Sequence, residues 1–277
     1  CKRNRPAMAE TPTQVIADSD HPNSKCYMWV HRSGEFYTRR PIVVYEYQKG
    51  RDHQKPLDFY KDYKGILVTD SLQQYHLVDK KLADVTNANC WAHARRDFAD
   101  AVKAADKKDP SSVRQSAAYQ ALQKIAEFYN ADTELKELSS KERLQKRQEL
   151  IKPMVEEVFA WVKQQVSDCT VPPKSKTGQG LNFVINQEKY LRIFLEDGDV
   201  PIDNSASERA IRTFCLGKKN WMFHNTAKGA SASAMVYSIS ETAKLNHLRP
   251  YYYFKYILTE LPKLCDEKGN IDPEKLD

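Results

Sequence analysis

The segment GILVTD, Gly65–Asp70, carries the clearest fold signal in the chain. Its short apolar run opens at a glycine and closes at an aspartate, a pattern typical of a buried strand. The carboxyl end of a buried strand projects the next side chain at an edge of the sheet, which places Asp70 well for binding a ligand. The structural alternative is an aspartate that begins a turn before Ser71.

The first third of the chain predicts further strands. Apolar, β-branched and aromatic residues predict strands over 27–31 and 41–47, with a turn signal at Ser33-Gly34 between them. Weaker patterns predict an earlier strand over 11–16 and a fifth strand over 84–90. The sequence therefore predicts a sheet built largely before residue 91.

The pattern changes to a helical one at Trp91. Residues 91–166 are helix-compatible almost throughout, and the highly charged stretch 135–151 predicts a solvated helical hairpin. Residues 171–180 (VPPKSKTGQG) are typical of a linker. Later helices are predicted over 182–195, 228–245 and 251–261, followed by a polar, frayed tail from Asp266. The order predicts an α/β fold with a mixed sheet flanked by helices.

Length and composition favour a globular chain. The 277 residues, 41% of them hydrophobic, suffice for a large core. No apolar run approaches the roughly 18–20 residues of a spanning helix, and no signal-peptide pattern is present, so a cytoplasmic protein is expected. The six cysteines, at 1, 26, 90, 169, 215 and 265, have no disulfide-framework spacing and predict reduced thiols. Because the first residue is Cys1 rather than Met, we expect further sequence upstream.

Basic residues occur in clusters. The net charge of +6 permits nucleic-acid binding without requiring it. The pair Lys218 and Lys219 is flanked by Phe214, Trp221 and Phe223, and cations interleaved with aromatic rings suit phosphates and unstacked bases. A packed edge of the core has a similar pattern, and a basic pair such as Arg95 and Arg96 is often only a solvated face.

The segment DNSASERAIR, Asp203–Arg212, holds a second candidate carboxylate. Glu208 shares a predicted helix face with Ile211 and Cys215, which turns it partly inward. Arg209 and Arg212 beside it are suited to a phosphate or a carboxylate. The alternative is a capping box from Ser205 to Glu208, in which the glutamate satisfies backbone donors at a helix start.

Two carboxylates predict a specific chemistry when they meet at one site. Phosphodiester cleavage and strand transfer need an activated hydroxyl and a stabilised leaving oxygen, and two Mg²⁺ ions about 3.5–4 Å apart serve both needs. Mg²⁺ prefers oxygen ligands and retains waters, so few protein ligands suffice. Asp70 and Glu208 are the candidate ligands.

The segment Cys90-Trp91-Ala92-His93 has the spacing of a metal-ligand pair. A structural zinc site needs four ligands, and no second close Cys/His pair exists. The sequence favours a packed strand-to-helix junction, with His93 either structural or beside the carboxylates. There is no Gly-rich phosphate loop, no G-x-S-x-G motif and no dinucleotide-binding fingerprint.

Four segments together resemble the transposases of the insertion-sequence sixty-six family. They are AETPTQV (9–15) with SKCYMWVHRSG (24–34), GILVTD (65–70), NCWAHARRDF (89–98), and DNSASERAIRTFCLGKKNWMF (203–223) running into YSISETAKLN (237–246). The resemblance covers nearly the whole chain, and the order of the segments is far more specific than any single motif.

The resemblance implies an RNase H-like catalytic domain with an acidic DDE triad and a helical insertion between the second Asp and the Glu. On that pattern Asp70 matches the second acid and Glu208 the third, with Mg²⁺, or Mn²⁺ as a substitute, as cofactor. The implied parts are residues 1–90 as the β-rich start, 91–172 as the insertion, 173–246 as the helical part with the Glu, and 247–277 as a tail domain.

The resemblance also implies the partners. They are double-stranded DNA at transposon ends, target DNA, further copies of the chain assembled on DNA, and accessory proteins of the same element, with a nucleoid-associated location and no membrane. The residues expected to contact DNA are Arg95, Arg96, Arg209, Arg212, Lys218, Lys219 and Trp221. The family's upstream DNA-binding and zinc-finger regions have no counterpart in this sequence.

The chain departs from the family pattern at the first acid. Ala9 stands where the family has aspartate in a D-E-T motif, and Ser71-Leu72 replaces the usual Gly-Tyr after the second acid. Glu10 is a poor substitute because adjacent strand residues point to opposite faces unless the strand bulges. The sequence thus supports two hypotheses, a DDE transposase domain or a catalytically inactive, transposase-derived DNA-binding protein. An unrelated helical interaction scaffold is the third.

Overall fold

The computed structural model describes residues 4–17, 25–52, 54–70, 75–106, 110–266 and 270–272. Within them lie five strands, β1 (Ala7–Thr13), β2 (Cys26–Arg32), β3 (Val43–Gln48), β4 (Gly65–Thr69) and β5 (Val85–Asn89). They hydrogen-bond in the order β3-β2-β1-β4-β5. The pair β2–β3 is antiparallel, whereas β1–β4 and β4–β5 are parallel. The predicted mixed α/β fold is confirmed at this level.

The strands follow the sequence signals closely except for β1. Strand β4 has the predicted bounds, and β2, β3 and β5 differ by one or two residues at each end. Strand β1 begins at Ala7, four residues before the predicted start. Its first residues carry no β-branched side chain, and the strand forms because Ala7 pairs with Val68 of β4. Tertiary pairing here outweighs local propensity.

Helices fill most of the remaining chain. They are α1 (Gln54–Tyr60), α2 (His76–Lys81), α3 (Trp91–Asp106), α4 (Pro110–Val113), α5 (Ala117–Glu134), α6 (Ser140–Lys146), a π-helix (Arg147–Ile151), α7 (Lys152–Ser167), α8 (Lys176–Asn186), α9 (Glu188–Leu191), a 3-10 helix (Ile193–Leu195), α10 (Ser205–Trp221), α11 (Ala227–Leu245) and α12 (Pro250–Leu264). The last two confirm the predicted C-terminal helices, while the predicted tail lies largely outside the described residues.

Two predictions between residues 170 and 195 are wrong. The predicted linker contains the start of α8, because the Ser175 hydroxyl accepts a hydrogen bond from the Gly178 N–H at 3.0 Å and caps the helix. The single helix predicted over 182–195 is instead three short elements. Gln187 interrupts the helical backbone after Asn186, with φ −102° and ψ 5°.

The chain divides into two compact units, which are described separately. The first unit comprises Cys1–Ala9, Gly34–Tyr37 and Asp52–Glu208, and the second comprises Glu10–Ser33, Thr38–Arg51 and Arg209–Asp277. Strand β1 and helix α10 each contribute residues to both.

The core of the first unit lies among α3, α5, α7 and α8. The ring of Trp91 packs against Phe128 at a centroid distance of 4.8 Å and against Phe159 at 5.6 Å, and all three side chains are fully buried. The indole N–H of Trp91 donates to the Leu191 carbonyl at 2.8 Å, which satisfies the one polar atom of the ring. The helical segment is therefore packed into the same core as the ends of β4 and β5.

The second unit pairs β2 with β3 and covers the outer edge of β3. Hydroxyls of α11 bond the backbone of that edge: the Thr242 Oγ1 accepts from the Val43 N–H at 3.0 Å, and the Ser238 Oγ accepts from the Tyr45 N–H at 2.7 Å. An edge strand otherwise presents free backbone groups to other chains. Helix α11 thus closes this edge.

The prediction of a solvated hairpin over 135–151 is wrong. Arg143 is only 4% exposed, and Arg147 is completely buried. Arg147 forms an ion pair with the buried Asp132. Charge content alone predicted an exposed surface, but the two arginines lie four residues apart on the inward face of the helix.

Among the described residues, no helix combines the length and apolar character needed to cross a membrane. In the same part of the chain, Cys26, Cys90, Cys169, Cys215 and Cys265 are free thiols, as predicted.

Candidate functional site

The register of three parallel strands aligns Ala9, Asp70 and Cys90. Ala7 pairs with Val68, and two further residues on each strand bring Ala9 level with Asp70. Thr69 pairs with Asn89, which brings Asp70 level with Cys90. Side chains at matched positions of neighbouring strands share a face, with the strands about 4.8 Å apart. Asp70 therefore has an alanine beside it on one strand and a thiol on the other.

Asn204 ties the start of α10 to these strand ends. Its backbone N–H donates to the Cys90 Sγ at 3.1 Å, and its side-chain amide donates to the Met8 carbonyl at 2.7 Å. Two residues earlier, the Ile202 carbonyl accepts from the Trp91 N–H at 3.2 Å. Asn204 is only 1% exposed. These contacts place the first turn of α10 beside the carboxyl ends of the strands.

Glu208 lies in the first turn of α10 but does not form the predicted capping box. The helix begins at Ser205, so Asn204 occupies the N-cap position, and the Glu208 N–H donates to the Asn204 carbonyl at 3.1 Å. The Glu208 carboxylate lies 3.5 Å from the His93 Nε2 and 3.9 Å from the Arg96 guanidinium. The side chain faces α3 rather than its own backbone.

The protonation states at this cluster follow from burial. Burial raises the pKa of Glu208, opposed by Arg96 and reinforced by Asp203. Burial, aided by Arg96, lowers the pKa of His93 to about 4, so the imidazole is neutral near pH 7. The His93 Nε2 lies 3.1 Å from the Arg96 Nη2 and also faces the Glu208 carboxylate.

Three buried polar atoms around the start of α10 have no hydrogen-bond partner within the described part of the chain. They are the Nδ1 of His93, the Oδ1 of Asn204 and the Oγ of Ser207. Buried polar groups are nearly always bonded, so unsatisfied groups concentrated at one place indicate a site that a ligand or ordered water completes.

The thiol of Cys90 has a structural role. It is fully buried, and burial raises its pKa to about 12, so the metal-free thiol is protonated near pH 7. The thiol accepts from the Asn204 N–H at the junction of β5 and α3, the packed strand-to-helix junction that the sequence favoured.

A hydrogen-bonded chain fixes the opposite face of β4 and β5. The Thr69 hydroxyl donates to the Asn87 Oδ1 at 2.9 Å, and the Asn87 amide donates to the Asn89 Oδ1 at 3.0 Å. Asn89 in turn donates to the Gln187 Oε1 at 2.8 Å. A one-residue slip of either strand would break this chain, so it locks the register that aligns Asp70 with Cys90.

Comparison with known proteins identifies the family. The family model described as "Transposase IS66 family" matches residues 1–232.

The chain belongs to the IS66 transposase family.

Relatives from Sinorhizobium fredii extend this similarity. The chain is 28% identical over 231 residues to the uncharacterized protein y4hP, covering 81% of the chain and 42% of that relative. It is 27% identical over 261 residues to the uncharacterized protein y4qI, covering 91% of the chain and 47% of that relative. The chain thus spans less than half the length of these curated relatives.

Position 9, where the resemblance leads us to expect the first acid, is apolar in this IS66 family chain. Ala9 is 5% exposed and offers no ligand atom beside Asp70. In the second unit the neighbouring Glu10 has a 2% exposed side chain that is ion-paired with Arg51, the Nε–Oε1 distance being 2.9 Å. Burial raises the pKa of Glu10, and Arg51 opposes that rise. The Glu10 carboxylate already has an ion-pair partner, Arg51.

The donor set fits Mg²⁺ only in part. Carboxylate oxygens are the ligands Mg²⁺ prefers, and Asp70 and Glu208 supply them on neighbouring elements. Ala9 adds no oxygen ligand to them, and among the described residues no group of three or more His, Cys, Asp or Glu side chains could hold a metal ion.

The cations expected to contact DNA lie on α3 and α10. In the first unit Arg95 and Arg96 are exposed on α3. In the second unit Arg209, Arg212 and Lys219 are exposed on α10, whereas the Lys218 ammonium donates to the Pro12 carbonyl at 2.6 Å.

The aromatic residues near Lys218 differ in exposure, since Phe214 belongs to the core of the second unit whereas Phe223 is exposed. Phe214 is fully buried, and the Trp221 ring packs against Phe214 at 5.2 Å and against His224 at 4.4 Å. The packed-edge alternative describes Phe214. Trp221 remains partly exposed, and its contact with bases stays a prediction.

Sequence reasoning missed Asn204 as the residue that joins α10 to the strands. It stands inside the quoted DNSASERAIR segment, but its partners are the Met8 carbonyl and Cys90, far away in sequence. The available signal was the preference for Asn immediately before a helix start.

Proposed function

We propose that this chain is the catalytic region of an IS66 family transposase, which cleaves and joins DNA strands at transposon ends. The observation that carries the proposal is the attachment of the first turn of α10, with Glu208, to the strand ends beside Asp70 through Asn204. The strand order, with β1, β4 and β5 parallel, supports an RNase H-like domain. The helices from α3 to α7, within residues 91–172, are its helical insertion.

In this proposal Asp70 and Glu208 would hold Mg²⁺, with Mn²⁺ as a substitute. A bound ion would supply stabilisation of charge on the phosphodiester oxygens. Arg96 lies against Glu208 and His93, so it orients both side chains and offers a cation to an incoming phosphate. The exposed arginines and lysines of α3 and α10 contact the DNA backbone. Assembly of several copies on DNA and accessory proteins belong to the same proposal.

A second function is favoured by one observation, the alanine beside Asp70. A chain without the first carboxylate keeps its fold and its basic surface but loses a metal ligand. It would then act as a catalytically inactive, transposase-derived DNA-binding protein. The two functions share DNA binding and differ in metal-dependent chemistry.

Restoring the first carboxylate should make stability depend on Mg²⁺. Ala9→Asp places two like charges at matched positions of β1 and β4, which destabilises the metal-free protein. A bound ion removes that repulsion, so saturating Mg²⁺ should raise the melting temperature of the variant by roughly 5 °C. The measurement is thermal unfolding with and without Mg²⁺.

The matched control for this experiment is Ala9→Asn, which has nearly the same shape without the charge and should show no Mg²⁺ response. Asp70→Asn and Glu208→Gln in the Ala9→Asp protein should each reduce the response. An equal Mg²⁺ response in Ala9→Asp and Ala9→Asn would refute the assignment of this site.

DNA binding should depend steeply on salt. If phosphate contacts dominate, the logarithm of the affinity falls linearly with the logarithm of salt concentration, with a slope of about −0.9 per neutralised phosphate. Removing one contact by Lys219→Gln should reduce the slope by about 1 without changing sequence preference. Lys146→Gln, an exposed cation on α6, is the control and should leave the slope unchanged. A flat salt response of the unaltered chain would favour the interaction scaffold.

A further inference from the structure

An irregular segment precedes the start of α10. Residues 194–200 run from within the 3-10 helix Ile193–Leu195 to the residue before Pro201, and from Glu196 onward they belong to no helix or strand. Val200 is only four residues before Asn204 and eight before Glu208. The position of this segment therefore controls where the first turn of α10 begins.

Buried side chains of the helical segment hold the carbonyls of these residues. The Arg147 Nη1 donates to the carbonyls of Phe194 at 2.9 Å, Asp197 at 3.2 Å and Val200 at 2.7 Å. The Arg143 Nη1 donates to the Gly198 carbonyl at 2.7 Å. Four of the seven carbonyls from Phe194 to Val200 thus accept from one of two guanidinium groups.

The two guanidinium groups are themselves fixed. Arg147 is held by Asp132 at 2.7 Å and 3.2 Å. Arg143 donates to the carbonyls of Leu135, Lys136 and Leu138, which follow the end of α5. Its guanidinium also stacks 3.6 Å above the Phe36 ring. A planar guanidinium with several fixed donors is well suited to hold a backbone in one conformation.

Further contacts fix the same segment from other elements of the first unit. The Gln148 amide donates to the Leu195 carbonyl at 2.5 Å, and Arg5, just before β1, binds the Asp197 carboxylate at 2.5 Å and 2.9 Å. A Cβ added to Gly198 would lie 1.9 Å from the Ser140 carbonyl oxygen at the start of α6. The segment lies flush against α6 with no room for a side chain.

We propose that Arg143 and Arg147 are positioning residues, which fix residues 194–200 and thereby set the place of Asn204 and Glu208 at the strand ends. The catalytic meaning of this inference rests on the proposed function of Glu208. The helical insertion then helps to position the site, because its residues Arg143 and Arg147 hold the segment that leads to Glu208.

A purely stabilising role is the competing explanation. Burying two arginines is costly, and apolar residues of similar volume often give equal or greater stability. Positioning predicts something that general stabilisation does not, namely a local loosening of 194–208 in a protein that stays folded.

The test is hydrogen exchange measured by mass spectrometry on Arg143→Met, with Arg143→Lys as the conservative variant. Exchange of amides in 195–208 should accelerate by about tenfold or more in Arg143→Met, and less in Arg143→Lys. Exchange in β5, which belongs to the same unit, should not change. Lys146→Met, three residues away with an exposed side chain, should leave both regions unaltered.

A second variant covers the case in which Arg143→Met does not fold. Gly198→Ala keeps both arginines but forces the segment away from Ser140, and it should loosen 195–208 in the same way. Alkylation of Cys90, whose thiol is covered by Asn204, should accelerate in parallel. Unchanged exchange in 195–208, or an equal rise in β5, would overturn the positioning role.

The catalytic consequence is measured in the Ala9→Asp protein. Adding Arg143→Met should lower the turnover rate at least tenfold with little change in DNA affinity, and Arg143→Lys should restore part of it. If Ala9→Asp itself shows no cleavage, the proposed function fails, while the exchange experiment still decides the positioning role. A lowered DNA affinity with unchanged turnover would contradict the inference.

Discussion

Ala9→Asp should raise Mg²⁺-dependent DNA strand cleavage by more than about 100-fold, because even residues that only orient metal ligands contribute roughly 10–100-fold. The register of β1 and β4 puts the new carboxylate beside Asp70 on the same face of the sheet. The unaltered chain, with an alanine there, should be nearly inactive. The measurement is cleavage and joining of labelled transposon-end DNA with Mg²⁺ or Mn²⁺.

The controls for this prediction separate charge from shape. Ala9→Asn should stay inactive, and chelation of the metal should abolish the activity of Ala9→Asp. Asp70→Asn or Glu208→Gln in that variant should return it to the level of the unaltered chain. Robust metal-dependent cleavage by the unaltered chain that survives Asp70→Ala would show that the catalytic residues lie elsewhere.

Glu10 should not replace the missing acid. Its side chain is nearly fully buried against Arg51, on the strand face opposite to that of Ala9. Glu10→Gln in the Ala9→Asp protein should therefore leave the cleavage rate unchanged when the two proteins are compared under conditions in which both are fully folded. A loss as large as that from Asp70→Asn would assign Glu10 to the site.

Arg147→Met should lower the free energy of unfolding by about 3–5 kcal/mol, the usual cost of breaking a buried ion pair. The substitution leaves the Asp132 carboxylate, 2% exposed, without its cation and frees three carbonyls. Denaturant unfolding followed by helical circular dichroism measures the effect.

Two comparisons sharpen this prediction. The exposed pair Lys124 and Glu157 joins α5 to α7, and Lys124→Met should cost no more than about 1 kcal/mol. The double change Arg147→Met with Asp132→Leu should recover much of the lost stability, because no unpaired charge remains buried. A small loss from Arg147→Met alone would mean that water reaches Asp132 freely.

The sequence predicted the parts of the fold that local patterns determine. The run GILVT gave β4 its bounds, since four apolar or β-branched residues between Gly65 and Asp70 leave little alternative. Strand β1 was placed too late because its first residues, Ala-Met-Ala, lack strand propensity and are held in the strand by pairing such as that of Ala7 with Val68. Local signals identify an element, whereas its pairing decides its ends.

The residues of the candidate site show the same contrast between local sequence signals and contacts with distant segments. Residue type and spacing singled out Asp70, Glu208 and His93, whose roles stay predictions, and the structure brings His93 and Glu208 together. The roles of Asn204, Arg143 and Arg147 were not found, because each depends on partners more than 50 residues away or on a carbonyl that no sequence pattern reports. The high charge density of residues 135–151 suggested that they are exposed. The structure shows instead that backbone carbonyl oxygens accept hydrogen bonds from the buried Arg143 and Arg147, which offsets the cost of burying these charges.

The contact between Asn204 and Met8 has a consequence for the order of events during synthesis. The two residues are 196 positions apart, and Arg5 and Asp197 are 192 positions apart. At a translation rate of about 5–20 residues per second, β1 emerges roughly 10–40 seconds before the segment it must bind. Contacts of such long range close late and fold slowly. The start of the chain must therefore remain available, unaggregated and correctly paired, until the last part of the site arrives.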